Sequence, residues 1–140
     1  MTNTADVAAY SSLEQIDTTN MAVRYDRESD TLIVHFYGVG LPGVSIDKGN
    51  GWFVRRDRER GRSIGVQIEG FLARAVQGEP ALLDMLDIAD LRGMTPEEVG
   101  RLRRDIALTG RRPAGADRVI SLLWRFAIGD SDVAGSAQSA

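Results

Sequence analysis

The sequence predicts an α+β fold in which an antiparallel β-meander of about five strands is followed by three to four α-helices packing on one face. Two observations support this prediction. Between Met21 and Glu69, apolar and polar residues alternate in short runs separated by acids and glycines, which is typical of half-buried strands. After Gly70 the apolar residues recur at spacings of three and four, as on helices that cover a sheet.

The connections between the predicted strands are short and polar. The strands span residues 21–25, 31–37, 44–47, 52–55 and 63–69. The run from Asp26 to Asp30 supplies turn-forming acids, and Gly49-Asn50-Gly51 tolerates the positive φ of tight hairpins. Connections of this kind favour antiparallel pairing between consecutive strands.

The side-chain alternation predicts which face of each strand is buried. In the last strand Ile64, Val66 and Ile68 share one side, and a second set takes the other side: Ser63, Gly65, Gln67 and Glu69. In the second strand the core face takes Leu32, Val34 and Phe36. This leaves His35 on the exposed or interfacial side, as a structural or solvent-facing residue.

The predicted helices span residues 71–76, 80–88, 96–108 and 116–128. The third has the clearest start, because Thr95 can cap it, Pro96 fits its first position and Glu98 completes a capping box. Gly110 marks its end.

The last predicted helix carries an apolar stripe formed by Val119, Leu122, Leu123 and Phe126. Trp124 lies partly off that stripe. Its side chain either covers the hydrophobic core or anchors a partner chain, and we include it among the candidate partner-binding residues.

The composition divides the chain into four predicted regions. Residues 1–20 and 129–140 are rich in small and polar residues, which predicts a flexible N-terminal arm and a disordered tail. Residues 21–76 form the predicted β-meander domain, and residues 77–128 form a helical extension.

The amino-acid content excludes several classes of protein. With 43% apolar and 26% charged residues, no apolar run approaches the roughly 18–20 residues of a membrane span. The first residues lack the basic start and apolar segment of a secretory signal, so we expect a cytoplasmic protein. There is no cysteine and only one histidine, so we expect neither a metal site nor a cofactor.

No group of residues predicts catalysis. Asp26, Glu28 and Asp30 could hold a hard cation, but the run lacks the later glycine and glutamate of a calcium loop. A solvated hairpin turn is the favoured interpretation, and an enzyme using these acids with a divalent cation is the third hypothesis for function. The serines have no nucleophile elbow, and no glycine-rich loop precedes a helix with an early lysine.

The densest basic segment lies between the fourth and fifth strands. Its candidate partner-binding residues are Arg55, Arg56, Arg58, Arg60 and Arg62. With Asp57 and Glu59 between them, five arginines and two acids leave a net charge of +3. This modest charge favours a contact with another protein over phosphate binding.

Two segments carry a family resemblance. The run from Tyr25 to Val34 and the later run Ile64-Gly65-Val66-Gln67-Ile68-Glu69 resemble the small bacterial DUF2283 family. The resemblance covers about 50 residues, from Met21 to around Ala73. It implies a β-meander followed by a helix, in a family whose function is uncharacterised and some of whose relatives resemble antitoxins or regulators. The arginine-rich turn and the long helical extension lie outside that pattern.

Two functions rank above the metal-dependent enzyme as interpretations of these observations. The leading hypothesis is a non-enzymatic protein-interaction or regulatory module, antitoxin-like by resemblance, which forms a homodimer or binds another protein, because a small sheet presents two edges. The alternative is a nucleic-acid-binding regulator that uses the arginine-rich loop with Arg101, Arg103 and Arg104 of the third helix. We expect no membrane partner.

Overall fold

The computed structural model describes residues 20–59 and 61–139, with side chains as far as Gly129. The predicted arm therefore lies outside the described residues except for Asn20, and so does Arg60. The strands are β1 (Ala22–Asp26), β2 (Thr31–His35), β3 (Gly43–Asp47), β4 (Trp52–Asp57), β5 (Ser63–Glu69) and β6 (Asp90–Arg92). They form one sheet in the order β3-β4-β5-β2-β1-β6.

The five predicted strands are all present, but their order differs from a simple meander. Strand β5 pairs antiparallel with both β4 and β2, so β2 and β3 are not neighbours. The linker between them carries the chain past two strands, and Gly38 and Gly40 adopt φ angles of 97° and 87° there. Strand β6 was not predicted. It pairs parallel with β1 over three residues, which is too short a segment to show a period in the sequence.

The helical half begins with a π-helical turn (Phe71–Ala75), helix α1 (Val76–Gly78) and a 3-10 helix (Pro80–Asp87). Two longer helices follow, α2 (Pro96–Ala107) and α3 (Ala116–Ser139). The α+β class is thus confirmed. No helix among the described residues is long and apolar enough to cross a membrane.

The start of α2 follows the predicted chemistry. The Thr95 hydroxyl accepts a hydrogen bond from the Glu98 N–H at 3.2 Å, and the Glu98 carboxylate accepts one from the Thr95 N–H at 3.0 Å. Together they form the predicted capping box, with Pro96 at the first turn.

Helix α3 extends past the predicted end at Ile128, as far as Ser139. No proline follows Pro113, and an isolated glycine such as Gly129 costs a helix only about 1 kcal/mol.

One hydrophobic core joins the strands to the helices. Ile64, Val66 and Ile68 are buried as predicted. Val66 and Ile68 belong to the same cluster as Leu82 of the 3-10 helix and Leu123 of α3. The predicted β-meander and helical regions therefore share a core.

The buried face of α3 differs from the predicted stripe. The buried residues are Val119, Ile120, Leu123, Trp124 and Ala127, whereas Leu122 is 40% exposed. The sequence fits both stripes, because Ile120, Leu123, Trp124 and Ala127 have the same three-one-three spacing. The aromatic ring of Trp124 selects the observed face by packing against Phe36.

A β-bulge also changes one predicted face. Between β4 and β5, Arg55 pairs with Gly65 but Arg56 pairs with Ser63, so Ile64 is the extra residue. Ser63 therefore turns towards the helices, where its hydroxyl donates to the Ala127 carbonyl oxygen at 2.9 Å. The prediction that Ser63 lies on the opposite face from Ile64 was wrong for this reason.

Candidate functional site

The acidic turn between β1 and β2 is occupied by structural hydrogen bonds. The Asp26 carboxylate accepts from the Glu28 N–H and the Ser29 hydroxyl, each at 3.1 Å. The Asp30 carboxylate accepts from the Leu72 N–H at 2.9 Å and the Ala73 N–H at 3.0 Å, so it caps the π-helical turn. The sequence predicted the turn but gave no signal for this distant cap.

Asp30 also accepts a hydrogen bond from the Tyr25 hydroxyl at 2.6 Å. Burial of the phenol and this hydrogen bond raise the pKa of Tyr25 well above its ordinary value. Among the described residues no group of three or more histidines, cysteines, aspartates or glutamates could hold a metal ion. Asp30 therefore positions the first helical turn against the sheet, and Asp26 stabilises its own loop.

The candidate arginines do not form one patch. Arg55 and Arg56 are consecutive in β4, so their side chains point to opposite faces of the sheet. Arg58 lies exposed in the following loop, and the Arg62 guanidinium sits 4.3 Å from the centre of the Tyr37 ring. Arg60 lies outside the described residues.

Trp124, the other candidate, lies in the core. It is 2% exposed, and its ring centre lies 4.9 Å from that of Phe36 and 6.2 Å from that of Tyr37. This burial supports the first of its two predicted roles, covering the core, and leaves almost no ring surface exposed for a partner chain.

Several half-buried side chains lie on the face of the sheet opposite the helices. We call six of these residues the open face: Arg24, Ile33, His35, Phe53, Arg55 and Gln67. Strand pairing arranges them in rows. One row runs from Arg24 through Ile33 and Gln67 to Phe53. The open face therefore combines two arginines with an apolar centre.

The next row of the open face contains a glycine between two polar side chains. His35 pairs with Gly65 on one side, and Gly65 pairs with Arg55 on the other. A Cβ atom at Gly65 would lie 2.6 Å from the Val34 carbonyl oxygen, so only glycine fits there. No side chain therefore rises from the sheet between His35 and Arg55.

His35 has a lowered pKa in this environment. Burial of the imidazole contributes most, and the positive charges of Arg55 and Arg24 add to the effect. The imidazole is consequently neutral near physiological pH. The sequence placed His35 on this face but did not predict that two arginines would flank it.

The outer edge of the sheet is formed by β3. Its Val44 side chain is 43% exposed and Ile46 is half-buried, although both lie on the face that the helices cover further along the sheet. At the other edge, β6 has only three residues. Among the described strands, β3 is therefore the longer of the two that pair with a neighbour on one side only.

A cavity of about 330 Å³ lies between the 3-10 helix and α2. Leu86, Leu102 and Ile106 supply apolar walls, and the charged groups at its rim are Asp87, Arg103 and Arg111. The Arg103 Nη1 atom lies 3.9 Å from Asp87 Oδ1, and Arg111 pairs with Asp84. The arginines of the cavity are thus already opposed by carboxylates.

Asp84 is a buried charged residue that sequence reasoning missed. It is 1% exposed, and besides Arg111 it accepts hydrogen bonds from the Ala114 and Gly115 N–H groups, each at 2.7 Å. These contacts fix the loop before α3. An isolated aspartate between leucines and a methionine carries no sequence signal for such a partner 27 residues away.

Comparisons with family models, curated proteins and solved structures find no match to this chain. The resemblance to the DUF2283 family therefore stays a prediction.

Proposed function

We propose that this chain is a non-enzymatic protein-interaction module that associates with a second copy of itself along the free edge of β3. The observation that carries the proposal is an end strand of five residues with an exposed apolar side chain, Val44. Such an edge presents backbone donors and acceptors that pair readily with another strand.

The backbone groups of β3 that point away from β4 support a specific register for pairing with the second copy. The Lys48 N–H donates to the Trp52 carbonyl oxygen at 2.8 Å, which directs the backbone groups of even-numbered residues in β3 towards β4. The N–H and C=O groups of Gly43, Ser45 and Asp47 therefore point away from the sheet. A two-fold axis at Ser45 would place these odd-numbered residues opposite one another in hydrogen-bonded pairs.

The same register matches the side chains. With Ser45 opposite Ser45 of the second copy, Val44 of each copy lies opposite Ile46 of the other, in a non-hydrogen-bonded pair where side chains approach closely. Asp47 lies opposite Gly43, so no like charges face each other. The pairing thus covers two apolar side chains in each copy that the described helices leave partly exposed.

Light scattering coupled to size-exclusion chromatography tests this proposal. We expect the unmodified chain to show twice the monomer mass of 15.3 kDa. Val44→Lys removes two symmetric apolar pairs and should weaken the dimer by about tenfold or more. Leu122→Lys is the matched control, because Leu122 is 40% exposed but lies on α3, and its dimer should be unchanged.

Ser45→Pro provides a second test with the sheet preserved. The Ser45 N–H points away from β4, so proline removes a hydrogen bond of the dimer without breaking the β3–β4 pairing. A monomeric mass for the unmodified chain at every concentration would refute the proposal. Equal effects of Val44→Lys and Leu122→Lys would refute the use of β3.

The arginines favour this proposal over the nucleic-acid alternative. Several are opposed by nearby acids: Arg27 by Glu98, Arg92 by Asp90, Arg103 by Asp87 and Arg111 by Asp84. Phosphate backbones require a continuous basic surface whose binding weakens steeply with salt. Salt-sensitive binding of RNA or DNA that is reduced by Arg56→Ala with Arg58→Ala would instead support the alternative.

A further inference from the structure

We propose that Arg24, His35 and Arg55 form an anion-binding site around Gly65 on the open face, and that it takes a phosphate group, either free or as a monoester. This inference goes beyond the proposed function, because the site lies on the face of the sheet and does not require a second copy of the chain.

The backbone gives the site its shape. His35, Gly65 and Arg55 are consecutive members of one row across β2, β5 and β4, and the central position has no side chain. The Arg55 Cβ atom would lie 3.8 Å from a Cβ built on Gly65. Gly65 is buried although it has no side chain, and His35 and Arg55 flank it in the row. A small ligand that separates them would rest on the backbone between two polar groups.

The two arginines of this site are not paired with carboxylates. Asp90 lies beside Arg24 on β6, but its carboxylate pairs with Arg92. Neither Arg24 nor Arg55 forms an ion pair with any residue in the described part of the chain, in contrast to Arg27, Arg92, Arg103 and Arg111. Both guanidinium groups lie near enough to His35 to lower its pKa. Two positive charges and a neutral imidazole N–H donor therefore converge in a chain whose net charge is -3.

The arrangement favours phosphate over carboxylate. Arg24 lies on β1 and Arg55 lies on β4, so the two arginines are on opposite sides of His35 in the strand order. A carboxylate has two oxygens in one plane and matches one fork. A phosphate monoester has three terminal oxygens in a tetrahedral arrangement, so it can accept from both forks and from the imidazole at once.

A nuclear magnetic resonance titration of the full chain tests the site. Sodium phosphate is added at about pH 7.5, where phosphate is mostly dianionic, with sodium chloride adjusted to hold the ionic strength constant. We expect saturable shifts of the His35 imidazole and of the amides of Gly65 and Arg55. Bound phosphate should also raise the pKa of His35, because a nearby anion stabilises the imidazolium.

The ligand series separates the sources of the phosphate group. Inorganic phosphate and phenyl phosphate represent the free ion and the monoester, and saturable binding of either supports the site. Acetate is the carboxylate comparison, and its affinity should be lower than that of the phosphates by about tenfold or more. Acetate binding as tight as that of both phosphates would overturn the assignment to phosphate.

Three matched variants test the residues. Arg55→Gln and Arg24→Gln should each weaken phosphate binding by about tenfold, since each removes a charge-assisted contact. Arg58→Gln is the control, because Arg58 is an exposed arginine of the neighbouring loop, and its affinity should remain within about twofold. All three replace surface side chains and preserve the core.

Two results would overturn the proposal: no saturable shift at the open face with either phosphate, or the same loss of affinity in Arg58→Gln as in Arg55→Gln. The titration is repeated on Val44→Lys, where we expect the same affinity. A monomeric chain that still binds phosphate would refute only the proposed dimer, and a dimer that fails to bind phosphate would refute only this site.

Discussion

The two faces of the sheet are built from the same strands but differ in how deeply their side chains are buried. On the covered face Leu32, Val34, Val66 and Ile68 are fully buried against the helices. On the open face their alternating neighbours, including Ile33 and His35, are only half-buried. Since each strand contributes to both faces, the difference comes from the helices and not from the strands themselves.

This difference separates stability from binding. Burial of apolar area on the covered face contributes most of the free energy of folding, and substitution there disturbs close packing. The open face carries charged groups that remain accessible and therefore contribute little to stability. Functional residues can occupy the open face at small cost to the fold.

The largest effect is expected at Asp84, on the covered side. Asp84→Ala removes the partner of Arg111, whose side chain is 12% exposed, and two backbone hydrogen bonds. We expect the free energy of unfolding to fall by about 3–5 kcal/mol in urea denaturation. Asp87→Ala is the control, because its carboxylate is exposed on the same 3-10 helix, and should change stability by about 0.5 kcal/mol or less. Similar losses in both variants would contradict the buried role of Asp84.

A pair of isoleucines compares the two faces directly. Ile68 is fully buried on β5, whereas Ile33 is half-buried on the open face of the adjacent β2. We expect Ile68→Ala to lower the free energy of unfolding by about 2–5 kcal/mol and Ile33→Ala by about 1 kcal/mol or less. Urea denaturation of both variants measures the difference. Equal losses of unfolding free energy would show that Ile33 is buried to the same degree as Ile68, which would contradict the difference between the two faces.

The smallest effect concerns His35 and pH. Its pKa in the folded chain lies below the ordinary value of 6.5, so below that pH the unfolded chain binds more protons than the folded one. The stability contributed by the neutral imidazole is thus complete above about pH 6.5 and is lost as the pH falls through the folded pKa. Urea denaturation between about pH 7.5 and pH 5 should show a shallower decline for His35→Gln. Parallel curves for the two proteins would refute this assignment.

The local features of the fold were predictable because their signals lie within a few residues. The alternation of apolar and polar residues predicted the bounds of β1 to β5 to within one or two residues of those observed. The spacing from Thr95 to Glu98 identified the start of α2. For the open face, the alternation also placed His35 opposite the core. These features depend on backbone periodicity and capping, which neighbouring residues decide.

Other features of the site depend on contacts between distant residues. Arg24 lies beside His35 through the β1–β2 pairing, but Arg55 joins them only because β5 pairs with both β4 and β2. Likewise the sequence could not distinguish Trp124 in the core from Trp124 at a surface, because two helical stripes with equal spacing were available. The choice depended on which stripe the Phe36 and Tyr37 rings could accept.

The chain's residues therefore specified, through their own periods and caps, where strands and helices form and which side of most strands is apolar. The order of the strands, the parallel pairing of β6, the bulge beside Ser63 and the burial of Asp84 arose only when distant segments packed together. The physical reason is range: a hydrogen-bonded turn or cap is set within one segment, whereas pairing and burial are set by whichever segments exclude water together.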